Sequence, residues 1–209
     1  MAAPAPTHPP TAPHFKPMTL ALAVFGLVLC VALTVLYTEL PPAYRPWNVS
    51  AIGALALFAT ARLGLWQGVA FTAAALALKD FTLFQRLGWG PNPLALVYFA
   101  GYVLIGRVFL RRAASMSRPL AAAVGGGLAF FLTSNFAVWA LGNYYPHSLA
   151  GLADCFAAGI PFYRNTLVGD VVFSAALFGA HAVLSRAYFP AERVGAAAAV
   201  GAGAVEESW

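Results

Sequence analysis

The chain predicts an all-α, polytopic membrane protein of six transmembrane helices, and three observations lead there. Only 9% of its residues are charged, against roughly a quarter in a soluble domain, and 61% are hydrophobic. Apolar stretches long enough to cross a bilayer recur along it, separated by connections that hold Pro, Gly and Arg. The basic residues are spread unevenly over those connections, as in proteins whose cytoplasmic loops hold the excess. A mean hydropathy of +0.74 agrees, because a soluble fold could not cover its surface with so few charges.

Residues 1–17 are rich in Pro, Ala and Thr, and proline at that density prevents a helix, so a disordered tail is expected. The apolar run that follows is too long for the core of a cleaved signal peptide. The membrane domain is expected over 18–190 and a flexible carboxy-terminal tail over 191–209. Met18 to Tyr37 is apolar all round and gives the first span, stopped by Pro41 and Pro42. A second span starts near Asn48 and runs through AIGALALFATA to Trp66, with Arg62 snorkelling to the headgroups. Gln67 and Gly68 mark the next turn. The third span is rich in small residues that permit close helix approach, and it is interrupted by Lys79 and Asp80. The stretch QRLGWGPNP, Gln85 to Pro93, is turn chemistry. Leu94 to Leu110 and Pro119 to Leu141 are the fourth and fifth spans. The latter carries Gly125, Gly126 and Gly127, then Thr133, Ser134 and Asn135.

The polar, aromatic and turn-forming segment Asn143 to Asp170 stands out against this background. Within it, Leu149 to Ile160 is too short to span and too apolar for a loop, which predicts a re-entrant or interfacial helix. Pro161, Arg164, Asn165 and Thr166 then precede a sixth span, Leu167 to Leu184, which Asn165 or Thr166 would cap.

With the amino terminus inside, Lys16, Arg62, Arg107, Arg111, Arg112, Arg118, Arg186 and Arg193 fall on the cytoplasmic side. Arg45, Lys79, Arg86 and Arg164 fall outside, which completes the 12 basic residues. Both termini are then cytoplasmic, and the polar connections gather at the outer face. A net charge of +5 is explained by this asymmetry rather than by nucleic-acid binding, since no basic, aromatic-interleaved patch lies outside the apolar stretches.

Acids within spanning helices, here Asp80 and Asp170, point either to coupling and substrate binding or to ion pairs that fix helix packing. Arg164 could clamp an anion or pair with Asp154 or Asp170. Trp47, Trp89, Trp139, Tyr144 and Tyr145 suit an interfacial aromatic belt or stacking on a planar ligand. No His, Cys or acid makes a metal spacing, Cys30 and Cys155 read as small hydrophobes, and no cofactor motif, catalytic triad or phosphate loop is present.

Four stretches, RPWNVSAIGALALF from Arg45, LKDF around Asp80, TSNFAVW from Thr133 and YPHSLAGLADCFAAGIPFYRNTLVGD from Tyr145, resemble the DUF6580 family of bacterial membrane proteins. That family is similar to the substrate-binding (S) components of energy-coupling-factor transporters. The resemblance implies a six-helix, S-component-like fold that captures a small solute from outside, with a separate coupling membrane protein and ATPases driving uptake. On this reading the chain is a multi-pass protein of the bacterial inner membrane. Arg45, Asn48, Asp80, Asn135, Arg164, Asn165 and Asp170 line an outward-facing polar pocket, Arg164 being its anion or hydrogen-bond anchor. A membrane scaffold or assembly factor and an intramembrane enzyme are the rival readings.

Overall fold

The structure, a computed structural model, describes residues 16–45 and 48–194. The expected amino-terminal tail through residue 15, with His8 and His14, lies outside the described residues, as do Pro46, Trp47 and the stretch 195–209 with Glu206 and Glu207. The described residues form six α-helices and two single 3-10 turns, with no strand.

Helix α1, Pro17–Glu39, opens with proline at its first position, where a missing N–H removes no intrahelical bond. After a 3-10 turn at Pro42–Tyr44, the chain re-enters the bundle through Asn48, whose φ of 63° is tolerated by asparagine better than by most residues. Helix α2, Ile52–Arg62, has all 11 residues buried and packs against each of the other five α-helices. Helix α3 is Leu65–Leu87, α4 is Ala95–Phe109 and α5 is Ser117–Leu141. Helix α6 runs unbroken over 39 residues, Leu149–Ala187, and a second 3-10 turn follows at Pro190–Glu192.

α2 explains the architecture. A helix apolar on every side must be surrounded, and this one is hidden by the ring of the other five. The turn that follows it is made at Gly64, whose φ of +130° a side-chain-bearing residue rarely adopts, rather than at Gln67 and Gly68. Gly68 instead lies inside α3, against Thr60 of α2, where a Cβ would overlap the threonine. Leu55, Leu57 and Phe58 are fully enclosed. Close van der Waals packing, rather than exclusion from water, holds such a helix when the outer ring faces lipid.

Three helices, α1, α5 and α6, are long and apolar enough to cross a membrane, which points to membrane association. α2 and α4 are apolar but shorter. The outward faces agree: Phe25, Val28 and Leu36 on α1, Val97, Leu104 and Val108 on α4, and Val168, Val172 and Val183 on α6 are exposed.

The expected re-entrant helix and sixth span are one element. Pro161 lies inside α6, which begins at Ser148, whose side chain accepts the Gly151 N–H at 3.2 Å. Neither Asn165 nor Thr166 is a cap. Thr166 bonds back to the carbonyl of Phe162, one turn earlier, at 3.1 Å, so its hydroxyl is satisfied without ending the helix. The amino-terminal part of α6 packs on α5, with the Cys155 thiol donating to the Asn135 carbonyl and Phe156 against Phe131.

The two described ends of the chain meet at one pole. Glu192 accepts the backbone N–H groups of Met18 and Thr19 at 3.0 and 2.8 Å and the Thr19 hydroxyl at 2.6 Å, so it caps α1 from the far end of the sequence. His181 shares the Thr19 hydroxyl at 3.2 Å. Arg62 does not snorkel. It is buried, donates to the carbonyls of Leu110 and Ala113 at 2.9 Å each, and lies over the Phe178 ring. Lys16 bonds the Arg62 carbonyl at 3.0 Å, closing the carboxy-terminal end of α2.

Candidate functional site

At the opposite pole, where α2 begins, the bundle encloses a cavity of about 330 Å³. Every α-helix contributes to it. α1 supplies Leu33, Thr34 and Tyr37, the α1–α2 connection Asn48, Val49 and Ser50, and α2 its first residue, Ile52. Lys79, Asp80 and Leu83 come from α3, Trp89, Gly90 and Asn92 from the loop after it, Phe99 and Tyr102 from α4, Phe130 from α5, and Thr166 and Asp170 from α6. The volume lies at the lower end of small-molecule sites, which begin near ~300 Å³, and far exceeds the ~30 Å³ share of one water.

The floor is a buried pair. The Tyr102 hydroxyl donates to one carboxylate oxygen of Asp170, and these side chains are 0% and 2% exposed. The sequence makes room for them with glycine: a Cβ on Gly53 of α2 or on Gly126 of α5 would overlap the pair, and one on Gly127 would press on Asp170 at 3.2 Å. Of the glycine triplet, these last two serve the site, whereas a Cβ on Gly125 would meet only Ile105, at 3.8 Å.

The walls are aromatic. Phe99 stacks on Tyr102 with centroids 5.4 Å apart and leans on Phe130 at 5.0 Å, while Tyr37 meets Trp89 edge-on at 6.3 Å. Higher on α3, Lys79 and Asp80 pair at 2.8 Å, although neighbours on a helix diverge by about 100°. The second oxygen of Asp80 accepts the Asn92 N–H at 3.2 Å, so this acid ties the α3–α4 loop to α3.

A second cavity of about 260 Å³ shares Asn48, Asn92, Phe130 and Thr166 with the first. Its own lining includes Tyr98, Ser134, Asn135 and Tyr163. The two are adjacent lobes, one with carboxylates and one with neutral hydrogen-bonding groups.

Of the residues expected from sequence, Asn48, Asp80 and Asp170 come together in the larger lobe, and Asn48 and Asn135 in the smaller. Asn135 also bonds the Phe131 carbonyl at 2.8 Å. Arg45, Arg164 and Asn165 line neither lobe. Arg45 caps α1 instead, donating to the carbonyls of Leu40 and Thr38 at 2.9 and 3.4 Å, with its guanidinium over the Tyr37 ring. Arg164 is exposed at the same end of the molecule, two residues before Thr166, and no ion pair joins it to Asp154 or Asp170 among the described residues. Tyr102 was not expected. A phenol in the middle of an apolar stretch is a signal for it, since a buried hydroxyl needs a partner and Asp170 is a candidate. Cys30 and Cys155 are both buried and free, and among the described residues no three His, Cys, Asp or Glu converge as metal ligands.

Fold and site define an all-helical protein, with three helices able to cross a membrane, built around a cavity floored by a carboxylate. The chain belongs to the DUF6580 family, described as a family of unknown function, whose profile matches residues 14–197. No curated protein and no solved structure matches it.

Proposed function

We propose that this protein is an integral component of a bacterial inner membrane that captures a small solute from outside, in the manner of the S components of energy-coupling-factor transporters. One observation carries the reading: a cavity of about 330 Å³, to which all six α-helices contribute, has the buried Asp170 at its floor. Helices that packed only to lock one another together would close such a space, because every void forfeits dispersion contacts. Orientation follows from charge. Lys16, Arg62, Arg186 and Arg193 cluster at the pole opposite the cavity, with Arg111 and Arg112 on the adjoining α4–α5 connection. By the positive-inside rule that pole is cytoplasmic, with both chain ends, so the cavity faces outward. Uptake would then need a coupling membrane protein and ATPases as partners.

Native mass spectrometry of the protein extracted in lipid nanodiscs tests the reading against a cavity-filled variant, Val49→Trp. The expected result is a non-lipid small molecule retained by the wild type and lost from V49W, with both proteins folded. No such molecule in the wild type, or equal retention in both, overturns solute capture. A stable protein partner without any small ligand favours the scaffold reading instead.

A further inference from the structure

The cavity's charges do not balance. Lys79 and Asp80 neutralise one another, and the remaining oxygen of Asp80 is occupied by the Asn92 N–H. Asp170 is different. Its polar partner is the neutral hydroxyl of Tyr102, and among the described residues no Lys, Arg or His lies within ion-pair distance. Nor is its position accidental, since Gly53, Gly126 and Gly127, from two other helices, keep free the space that it and Tyr102 fill.

A carboxylate taken out of water without a cation is costly, and leaving one there demands compensation. Beyond the Tyr102 hydroxyl, the surrounding wall offers it no unpaired cation from the protein, but it suits a ligand that brings its own. Tyr37, Trp89, Phe99 and Phe130 line it with aromatic carbon, which accepts an apolar body, and aromatic rings also attract a positive charge. An anionic solute would meet Asp170 with no basic side chain to offset it, since Lys79 is already paired and both Arg45 and Arg164 lie outside the lining.

Resting on the solute-capture reading, we propose that the solute is a small organic cation, a flat apolar body carrying a protonated amine. Asp170 is its counter-ion, and Tyr102 is the positioning residue that holds one oxygen of Asp170 so that the other is presented to the amine. The paired Lys79 and Asp80 set the upper end of the site and, through Asn92, fix the loop that carries Trp89 above it.

Binding of tryptamine and phenethylamine is compared with that of their neutral isosteres, 3-propylindole and propylbenzene, by calorimetry on the full chain in nanodiscs of zwitterionic lipid. At least one amine is expected to bind more than about tenfold tighter than its isostere, as a charge-assisted contact requires. Asp170→Asn, which keeps the shape, should weaken that amine by roughly a hundredfold while leaving the isostere unchanged. Tyr102→Phe keeps the carboxylate and should weaken the amine by less. Equal binding of amine and isostere overturns the proposal in the wild type alone, so a failure of D170N to fold does not shelter it. Absence of binding by both amines overturns it too, as does a folded D170N that binds as tightly as wild type. If native mass spectrometry finds a neutral or anionic solute in the wild type, the cationic assignment falls while solute capture stands.

Discussion

Replacing Glu192 should loosen the whole bundle, although the residue lies just beyond the last α-helix. Its carboxylate accepts the N–H groups of Met18 and Thr19 and the Thr19 hydroxyl, and Thr19 is fully buried. Glu192→Ala leaves two amides of the first turn of α1 without an acceptor where water does not reach. Loss of an N-cap costs about 0.5–2 kcal/mol and a hydrogen bond to a charged group about 1.5–3 kcal/mol. The three bonds share one carboxylate and are not additive, so a total near ~3 kcal/mol is expected. For a chain of this size that lowers the melting temperature by roughly 6–12 °C. Cys30 and Cys155 supply the assay, because both thiols are buried and free and react with a fluorogenic maleimide only on unfolding. Glu192→Gln, which keeps an acceptor but no charge, should fall about halfway. An E192A protein melting within ~2 °C of wild type would refute the idea that this cap ties the two ends together.

The same residue sets a pH dependence. Burial alone would push the Glu192 carboxyl up. The bonds from the Thr19 hydroxyl and from the Thr19 and Met18 amides, with the nearby His181, outweigh burial and hold it below its ordinary 4.5. A carboxyl depressed in the folded state contributes stability above its unfolded value and loses it as the pH falls through its folded one. The melting difference between wild type and E192Q should therefore be full at neutral pH and shrink below 4.5. A difference that stays constant into acid would sink the assignment.

Three further outcomes follow from particular contacts. Arg62→Met removes the donors to the Leu110 and Ala113 carbonyls and should cost about 2–4 kcal/mol in the same thiol-reactivity melt, with Arg62→Lys recovering only part. Gly126→Ala forces a Cβ into the space of Tyr102 and should cost roughly 1–3 kcal/mol as overpacking, whereas Gly125→Ala, facing only Ile105, should stay within about 0.5 kcal/mol. Arg164→Ala, at an exposed position outside both lobes, should change neither the melt nor, under the proposed solute-capture role, the retention of a small molecule. Loss of that molecule in R164A would restore the arginine to the site.

The order of six helices was legible because apolar length and proline stops are local signals: Met18 to Tyr37 against Pro17–Glu39, and Pro119 to Leu141 against Ser117–Leu141. The two misplaced boundaries have different causes. At the α2–α3 turn, Gly64 and Gly68 compete as punctuation, and only packing against Thr60 assigns Gly68 to a helix interior. At 161–166, proline followed by Arg, Asn and Thr imitates a stop and a cap, yet Thr166 satisfies itself on its own helix. In the cavity, Asp80 and Asp170 could be singled out as acids in apolar surroundings. Their contrasting roles could not, because the pairing of Asp80 with Lys79 and Asn92 and the isolation of Asp170 depend on side chains that three-dimensional packing brings near.

The cavity itself traces to one short helix. α1, of 23 residues, extends ~35 Å, and α2, of 11, only ~16 Å, so a central helix less than half as long as its neighbour must leave one end of the bundle unfilled. Which end is left open is decided by polar bonds. Lys16 and Arg62 fasten the carboxy-terminal end of α2 to the basic pole, both bonding to backbone carbonyls. At the other end only the strand of chain through Asn48, Val49 and Ser50 reaches in above Ile52, and the shortfall becomes the space over Asp170. A longer α2 would have occupied that space and given Asp170 the helix's first-turn amides, so the brevity of the most buried helix is what leaves a carboxylate facing a void that a ligand can fill.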